Sequence, residues 1–595
     1  MRDRCLRLGG SAVMTIDALF VLQRSDVIHL AAHKARYEGM RLLCIDPGIL
    51  DAVIAAGFTQ YELRRIDVGA DLATSVYAEA QARAARLDQQ LTRERRRLFG
   101  AGQWTGWDQS HLYLFLQRAL TTERIGQAVE ATFPEARLGL LRPSNPQLFN
   151  FDSMLSTEIV AADTARWQIV ENCEAGRFWN PAMLGFCIDA PGVQAALAGL
   201  GRLDALTHIP TCFYDARTFA QAIGERFQRT IDIPGLYCDV PVQRGDSVLL
   251  KPVDQVTGPA RPVCELYAER ARQLFTDELA SLVPHRAALD TQAAALARRC
   301  LIQALNFHGL RQALQGQRPH IVVADHDTGN NGPLFSLAAE LDAPVTVLPH
   351  SGYPTSPLPH ARKVEAVELP GFQPPVRTVL GQPVARRAVA FRARPQPRPR
   401  GQARRVCLLL NTMQAEGLSY IDIFGLIRFF KPLRALCARH DRDLSVRLKP
   451  STPALHVIAG ALGEAPGWFQ RTMALPIDEV AAESDICIAY GEPTSGTLSF
   501  LDAGSWVMHV SDQHWSADYV ITPPYVSDGL VPSFDAVAAL TVLDRVLASN
   551  DRYLEVLGRQ ARRYAPRRVP THDSLFPEPI HEPITAVLQG APQPC

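Results

Sequence analysis

The twelve cysteines of this chain stand singly, with no Cys-x-x-Cys pair and no spacing suited to metal ligands. Zinc ribbons and disulfide scaffolds are thereby excluded, and buried thiols in a reducing cytoplasm are expected. Those in "RLLCID", "RVCLLL" and "SDICIAY" read as small hydrophobes in apolar runs. No apolar run reaches the ~20 residues a membrane-spanning helix requires. The opening "MRDRCLRLGGSAVMTIDALFVLQRSD" is no signal peptide, because its apolar stretch is short and interrupted by Asp17. Excess charge is lacking too: 61 Lys and Arg face 61 Asp and Glu. A surface built throughout for nucleic acid is excluded, and none is expected as a partner. The glycine fingerprint of dinucleotide folds and the Walker lysine loop are both missing, which argues against a conventional NAD or ATP site. No repeat of solenoid length occurs.

What is present is a globular balance, 47% apolar and 21% charged, in a chain of 595 residues that is too long for one core. Strand, amphipathic helix and strand alternate from "AVMTIDALFVLQ" through "SDVIHLAAHKARYEGM" to "RLLCID". Further strands are expected at "RLGLLRP", "LDALTHIPTCFYD", "HIVVADHD" and "PVTVLPHSG", and residues 263–314 read as mostly helical. Residues 386–405, "RRAVAFRARPQPRPRGQARR", form an Arg/Pro-rich linker. Its charge suits lipid headgroups or nucleic acid; a solvated hinge is the plainer reading. The alternation then restarts with "VCLLLNTMQ", "LSVRLKPS", "SDICIAY" and "WVMHVSDQ". The expectation is an α/β protein of two Rossmann-like, doubly wound domains facing a cleft. An N-terminal domain spans 1–385 with a helical insertion near 263–314, and a C-terminal domain spans 406–595. Ligands of such sheets bind beyond the carboxyl ends of the strands.

Candidate site residues gather at those ends. After "ICIAY" the chain enters "GEPTSGT", where Glu492, Thr494, Ser495, Gly496 and Thr497 precede a helix. Free N–H groups and hydroxyls there suit a phosphate; equally, Ser495 suits a helix cap. Lys449, at the end of "VRLKPST", and Thr412 and Gln414, after "VCLLL", lie at the same edge and suit a nucleotide's phosphate, ribose or base. In the N-terminal half, Asp325 and Asp327 follow the strand "IVVAD", and His350 follows "VTVLP". A carboxylate so placed serves as nucleophile or general base, and the histidine as proton carrier or oxyanion partner. The plainer alternative is that an aspartate caps the next helix and His350 is a loop histidine. Two loops offer acceptor contacts: Glu158 with Asp152, and Tyr214 and Asp215 with His208 and Arg217.

These residues carry a resemblance. The pair "VRLKPST" and "SDICIAYGEPTSGTLSFLDAGSWVMHV" is similar to the donor-side pattern of GT-B glycosyltransferases of bacterial capsule and O-antigen assembly. "VVADHDTGNNGPLFSLAAELDAPVTVLPHSG" resembles their strand, Asp, helix, strand, His-Gly segment. Within that group the chain looks most like the retaining β-Kdo transferases, which use CMP-Kdo. The resemblance implies an aspartate nucleophile, Asp325 or Asp327, a covalent glycosyl-enzyme, and CMP phosphate held by Lys449 and the 494–497 loop. A nucleotide-sugar donor and a glycan or glycolipid acceptor are the expected partners. No cofactor is expected, and no metal is required if Lys449 and a helix terminus hold the phosphate. Cytoplasmic work is expected, with the basic linker a candidate contact for the inner membrane. The chain departs from the pattern at Lys449-Pro450, where many CMP-sugar enzymes have His-Pro, and at His350-Ser351-Gly352. It also lacks the paired glutamates eight apart, since Phe500 stands eight residues beyond Glu492. A nucleotide-sugar epimerase, a glycerophosphotransferase or a non-catalytic scaffold on the same plan are the competing expectations.

Overall fold

The structure is a computed structural model. It describes, with short breaks, residues 16–143, 167–173, 204–208, 230–233, 248–249, 260–325, 332–348, 364–368, 378–388, 400–410, 423–448, 455–491, 494–511 and 526–567, plus one short antiparallel pairing of Leu6–Arg7 with Val13–Met14. Everything below concerns those residues.

Three parallel sheets organise the chain. The first holds β1 (Ala18–Phe20), β2 (Leu42–Cys44), β3 (Tyr61–Leu63), β4 (Leu138–Pro143) and β5 (Trp167–Cys173), in the spatial order β3-β2-β1-β4-β5. The second holds β6 (Ala205–His208), β7 (Thr230–Ile233), β8 (Val248–Leu249), β9 (Ile321–Asp325), β10 (Val345–Leu348), β11 (Val364–Glu368) and β12 (Ala385–Ala388), in the order β8-β7-β6-β9-β10-β11-β12. The third holds β13 (Arg405–Leu410), β14 (Asp443–Arg447), β15 (Ile486–Tyr490), β16 (Trp506–Val510) and β17 (Ser533–Phe534), in the order β14-β13-β15-β16-β17. The α/β class with Rossmann-like parallel sheets is therefore present. The strands expected to share one N-terminal sheet within 1–385 form two, the first and second sheets, whereas those expected after the linker form the third.

Both faces of the third sheet are buried at its centre, which explains why β13, β15 and β16 are largely apolar runs rather than alternating ones. Leu408, Ile488 and Met508 share one apolar cluster with Leu19, Val21 and Leu42 of the first sheet. Cys407, Cys487 and Val507, one residue out of step, join the cluster that holds Leu206, Val322 and Val345 of the second sheet. Period-two alternation thus delivers neighbouring side chains to two different cores. All five side chains of β15 are buried, at roughly 1.5–3 kcal/mol for each large apolar one. The first sheet does the same, with Leu43 and Ile45 in a third cluster closed by Ile125 and Val129.

Helices Leu72–Phe99, Gln109–Thr132, Arg261–Leu279 and Arg286–Leu314 pack together over the second sheet. The expected helical stretch at 263–314 is the last two of these. Local signals start and stop the elements. Asp46 caps the helix Pro47–Ala55 by accepting from the Gly48 N–H at 2.6 Å, with proline in the first turn. The six cysteines whose side chains are described, Cys44, Cys407 and Cys487 among them, are all buried and unpaired. Burial pushes the Cys407 thiol up to about 11, so it stays an unreactive thiol.

The segment between β12 and β13 is not wholly a solvated hinge. The Arg400 guanidinium is 5% exposed, pairs with Asp485 at 3.2 Å, and donates to the carbonyls of Ala481, Ala482 and Ala503. Asp485 also accepts from the N–H groups of Arg404 and Arg405. The end of the basic stretch is therefore docked against the third sheet's helices.

Candidate functional site

In the second sheet, β6 to β8 step one way in space and β9 to β12 step the other. The crevice of such a sheet opens where the direction reverses, here between β6 and β9. The register puts Ala324 opposite His208, and Asp325 opposite Leu348. Asp325 is the last residue of β9, so the backbone brings it and His208 to adjoining strand ends at the switch point. Asp327 comes after β9 and His350 after β10 in the chain, and both lie outside the described residues, as do Glu158, Tyr214 and Asp215.

The helix that follows Asp325, Gly332–Glu340, is seated by a polar network absent from the sequence reading. Trp107 donates its indole N–H to the Ser336 hydroxyl at 2.6 Å. A Cβ on Gly332 would stand 2.6 Å from the Trp107 Cα, so only glycine lets the helix start this close. Behind Trp107 lies Arg95, with no exposed side-chain surface. Its guanidinium donates to Asp108 at 2.6 Å, to the Tyr267 hydroxyl at 2.8 Å and to the Trp104 carbonyl, and it stacks 4.9 Å from the Trp107 ring. Burial alone would lower the Arg95 pKa; Tyr267, Asp108 and Asp88 more than offset it, and the group stays charged. Asp88 completes the set by accepting from the Gly106 N–H at 2.7 Å.

The third sheet reverses between β13 and β15. Leu410 and Tyr490 end these strands side by side, and Arg447 of β14 aligns with Leu409. The chain leaves β13 after Leu410 and β15 after Tyr490, so these two strand ends flank the switch point. Thr412, Gln414, Lys449, Glu492 and Ser495 lie outside the described residues. Lys449 follows β14, which is next to β15 in the sequence but separated from it in space by β13.

Thr494, Gly496 and Thr497 are described. Thr494 Oγ1 accepts from the Gly496 N–H at 3.0 Å, and its carbonyl accepts from the Thr497 N–H at 3.1 Å. The capping role considered for Ser495 is thus filled, for these two donors, by Thr494. The helix that starts there, Gly496–Asp502, is only seven residues long, which limits its dipole. Thr497 is fully buried, and its hydroxyl has no hydrogen-bond partner among the described residues. A buried hydroxyl without a partner is uncommon and marks a place where a polar group is wanted.

Gly491 turns the chain at a φ of 70°, a left-handed conformation natural to glycine. Its N–H reaches the Val510 carbonyl at 2.8 Å, and its carbonyl meets His509 Nε2 at 2.6 Å. His509 Nδ1 meets Ser533 Oγ at 2.7 Å. Burial pushes the His509 pKa down to about 4, with the Gly491 carbonyl pulling the other way. The sequence reading passed over this histidine; the signal was its place inside the wholly apolar run "WVMHV". Among the described residues no three His, Cys, Asp or Glu side chains gather into a metal-binding group. No described helix is long and apolar enough to cross a membrane.

No family model and no curated protein matches the chain. Among solved structures it is similar to the calicheamicin glycosyltransferase CalG4, at 16% identity and a TM-score of 0.34 over 65% of this chain and 99% of that one. It is likewise similar to the glycosyltransferase SnogD from Streptomyces nogalater, at 15% identity and a TM-score of 0.32 over 66% and 100%. The trehalose-6-phosphate synthase OtsA aligns at 12% identity and a TM-score of 0.34 over 61% and 96%.

Proposed function

We propose that the chain is a glycosyltransferase of the GT-B plan that moves a sugar from a nucleotide-activated donor to a glycan or glycolipid acceptor. The observation that carries this reading is the placing of Asp325 at the end of β9, at the switch point of the second sheet and beside the end of His208's strand. The third sheet supplies a second switch point, between the ends of β13 and β15, which the proposal assigns to the nucleotide. In the finer form of the proposal the donor is CMP-linked, with Kdo the sugar that the sequence resemblance favours.

The chemistry balances in two displacements. A carboxylate oxygen of Asp325 or Asp327 attacks the anomeric carbon, the carbon–oxygen bond to the phosphate breaks, and CMP departs with the electron pair. An acceptor hydroxyl then attacks the same carbon, loses its proton to a base such as His350, and releases the aspartate. Two inversions give net retention. Lys449 and donors of the 494–497 loop stabilise the departing phosphate, so the reaction is proposed to need no metal. The acceptor lies along the loops bearing Glu158, Tyr214 and Asp215. The work is placed in the cytoplasm, with the basic 386–405 segment reaching the membrane surface.

A thermal-shift panel of CMP, CDP, UDP and GDP tests the reading, because a ligand that binds only the folded state raises the melting midpoint. A rise with CMP is expected. A rise with UDP alone overturns the CMP form and keeps the sugar-nucleotide reading; no rise with any of the four overturns both.

A further inference from the structure

We propose that His509 is a positioning residue that, with Ser533, locks the Gly491 turn and thereby holds the Thr494–Thr497 segment in place for its ligand. The ligand part of this proposal rests on the nucleotide reading above; the lock itself rests on geometry alone.

Every side chain of β16 is buried, and His509 has no exposed surface. An imidazole at such a position is costly unless both ring nitrogens are satisfied. Both are: Nε2 faces the Gly491 carbonyl at 2.6 Å and Nδ1 faces Ser533 Oγ at 2.7 Å. A carbonyl only accepts, so Nε2 carries the proton. Nδ1 of the neutral ring must then accept, and the Ser533 hydroxyl donates to it. The ring is held in one tautomer and one orientation by groups on either side.

The consequence falls on Gly491. The peptide groups before and after this residue are gripped by successive residues of one strand. Its N–H goes to the Val510 carbonyl and its carbonyl to the His509 ring. With both peptide planes fixed and φ at 70°, the direction in which the chain leaves β15 is set. Three residues on, Thr494 organises the start of the next helix through Gly496 and Thr497. There the Thr497 hydroxyl is buried without a partner among the described residues. The lock also recruits β17, since Ser533 pairs with His509 across the sheet. Loop, strand and sheet edge are coupled through one imidazole. A leucine or phenylalanine would fill the space equally well, yet would leave the Gly491 carbonyl without its donor.

The test compares His509→Phe, His509→Gln and Ser533→Ala with the wild-type chain by hydrogen exchange and by the same four nucleotides. In His509→Phe the amides of 494–499 are expected to exchange about tenfold faster, the scale of one lost hydrogen bond. Those of β13 should keep their protection. The nucleotide that binds the wild type should bind about five- to tenfold more weakly. His509→Gln, whose amide can still donate to Gly491, should recover most of both effects. Ser533→Ala, a smaller change at a half-buried position, should fall between and serves where His509→Phe does not fold. Unchanged exchange at 494–499 overturns the proposal, as does a rise spread equally over β13, which would mean general packing. Faster loop exchange with undiminished nucleotide affinity overturns the positioning role. If no nucleotide binds the wild type while loop exchange still rises in the variants, the lock stands and the nucleotide reading fails.

Discussion

Trp107 donates its indole N–H to the hydroxyl of Ser336, 229 residues away in the chain, over 2.6 Å. The bond ties the loop before the helix Gln109–Thr132 to the helix that follows Asp325. The two backbones also touch at Gly332. Gly332→Ala would drive a Cβ to 2.6 Å from the Trp107 Cα, and backbone cannot move aside as a flexible side chain can. A loss of about 1–3 kcal/mol is expected. Trp107→Phe, which removes the donor and keeps a ring, should cost about 1–2 kcal/mol. Urea denaturation midpoints read both, and a neutral Gly332→Ala would show that this helix is not seated as described.

Arg95 lies in the run Arg93, Glu94, Arg95, Arg96, Arg97, and only its position on the helix sets it apart. It is fully buried, whereas Arg96 is exposed. Arg95→Met removes the cation of Asp88 and the nearer of the two cations at Asp108, leaving it only Arg299 at 3.8 Å, and should destabilise the chain by about 3–5 kcal/mol. Arg96→Ala should stay within about 0.5 kcal/mol of the wild type. Equal effects of the two substitutions in chemical denaturation would contradict the network.

Gln560 acts as a strand residue from a helix. Its side-chain amide accepts from the Val507 N–H at 2.7 Å and donates to the carbonyls of Val507 and Leu530 at 2.8 and 2.9 Å. It thereby satisfies Val507 on the side of β16 away from β15. Gln560→Leu keeps the bulk and orphans these buried backbone groups, with an expected loss of about 2–4 kcal/mol. Gln560→Glu should be nearly as damaging, because two carbonyls would then face a carboxylate. A midpoint within experimental scatter of the wild type for Gln560→Leu would refute the assignment.

Stability should fall in mild acid. Burial lowers the pKa of His509 to about 4, and burial together with Arg311 lowers that of His308 to about 4. Between pH 6.5 and 4 the unfolded chain therefore binds these protons while the folded chain does not. The stability that neutral histidine permits is complete above pH 6.5 and is lost as the pH falls toward 4. For His509 the loss is about 2–3 kcal/mol across that window. His308 adds less, being partly open to solvent. Denaturation midpoints from pH 7.5 to 4.5 should slope less for His509→Gln than for the wild type; parallel curves would remove His509 from the account.

Strands and helices were legible along most of the chain because each records its own burial. "ICIAY" and, apart from His509, "WVMHV" are apolar, as strands covered on both faces mostly are. The strand-end positions of Asp325 and of the 491–497 loop followed directly, since a polar stretch after a buried strand can only begin where the sheet stops. The buried face of the helix Leu72–Phe99 was also written in the chain, with Ala80, Ala84, Leu87, Leu91 and Arg95 at helical spacing. There the signal was masked by the charge run in which Arg95 sits.

The amino-acid order by itself determined what each segment would be: which lengths pair as strands, which faces turn inward, and where polar residues leave a sheet. Only the tertiary structure decided which strands became neighbours. Parallel strands are joined through long crossovers, so adjacency depends on packing between residues far apart in the chain. Hence the separate first sheet, the placing of β13 between β14 and β15, and the two reversals that bring Asp325 beside His208's strand end and Tyr490 beside Leu410 could not be read from local pattern. The same holds for Trp107 with Ser336 and for His509 with Gly491. A hydrogen bond between distant residues leaves no periodic trace in either, because it is satisfied by geometry that neither segment contains.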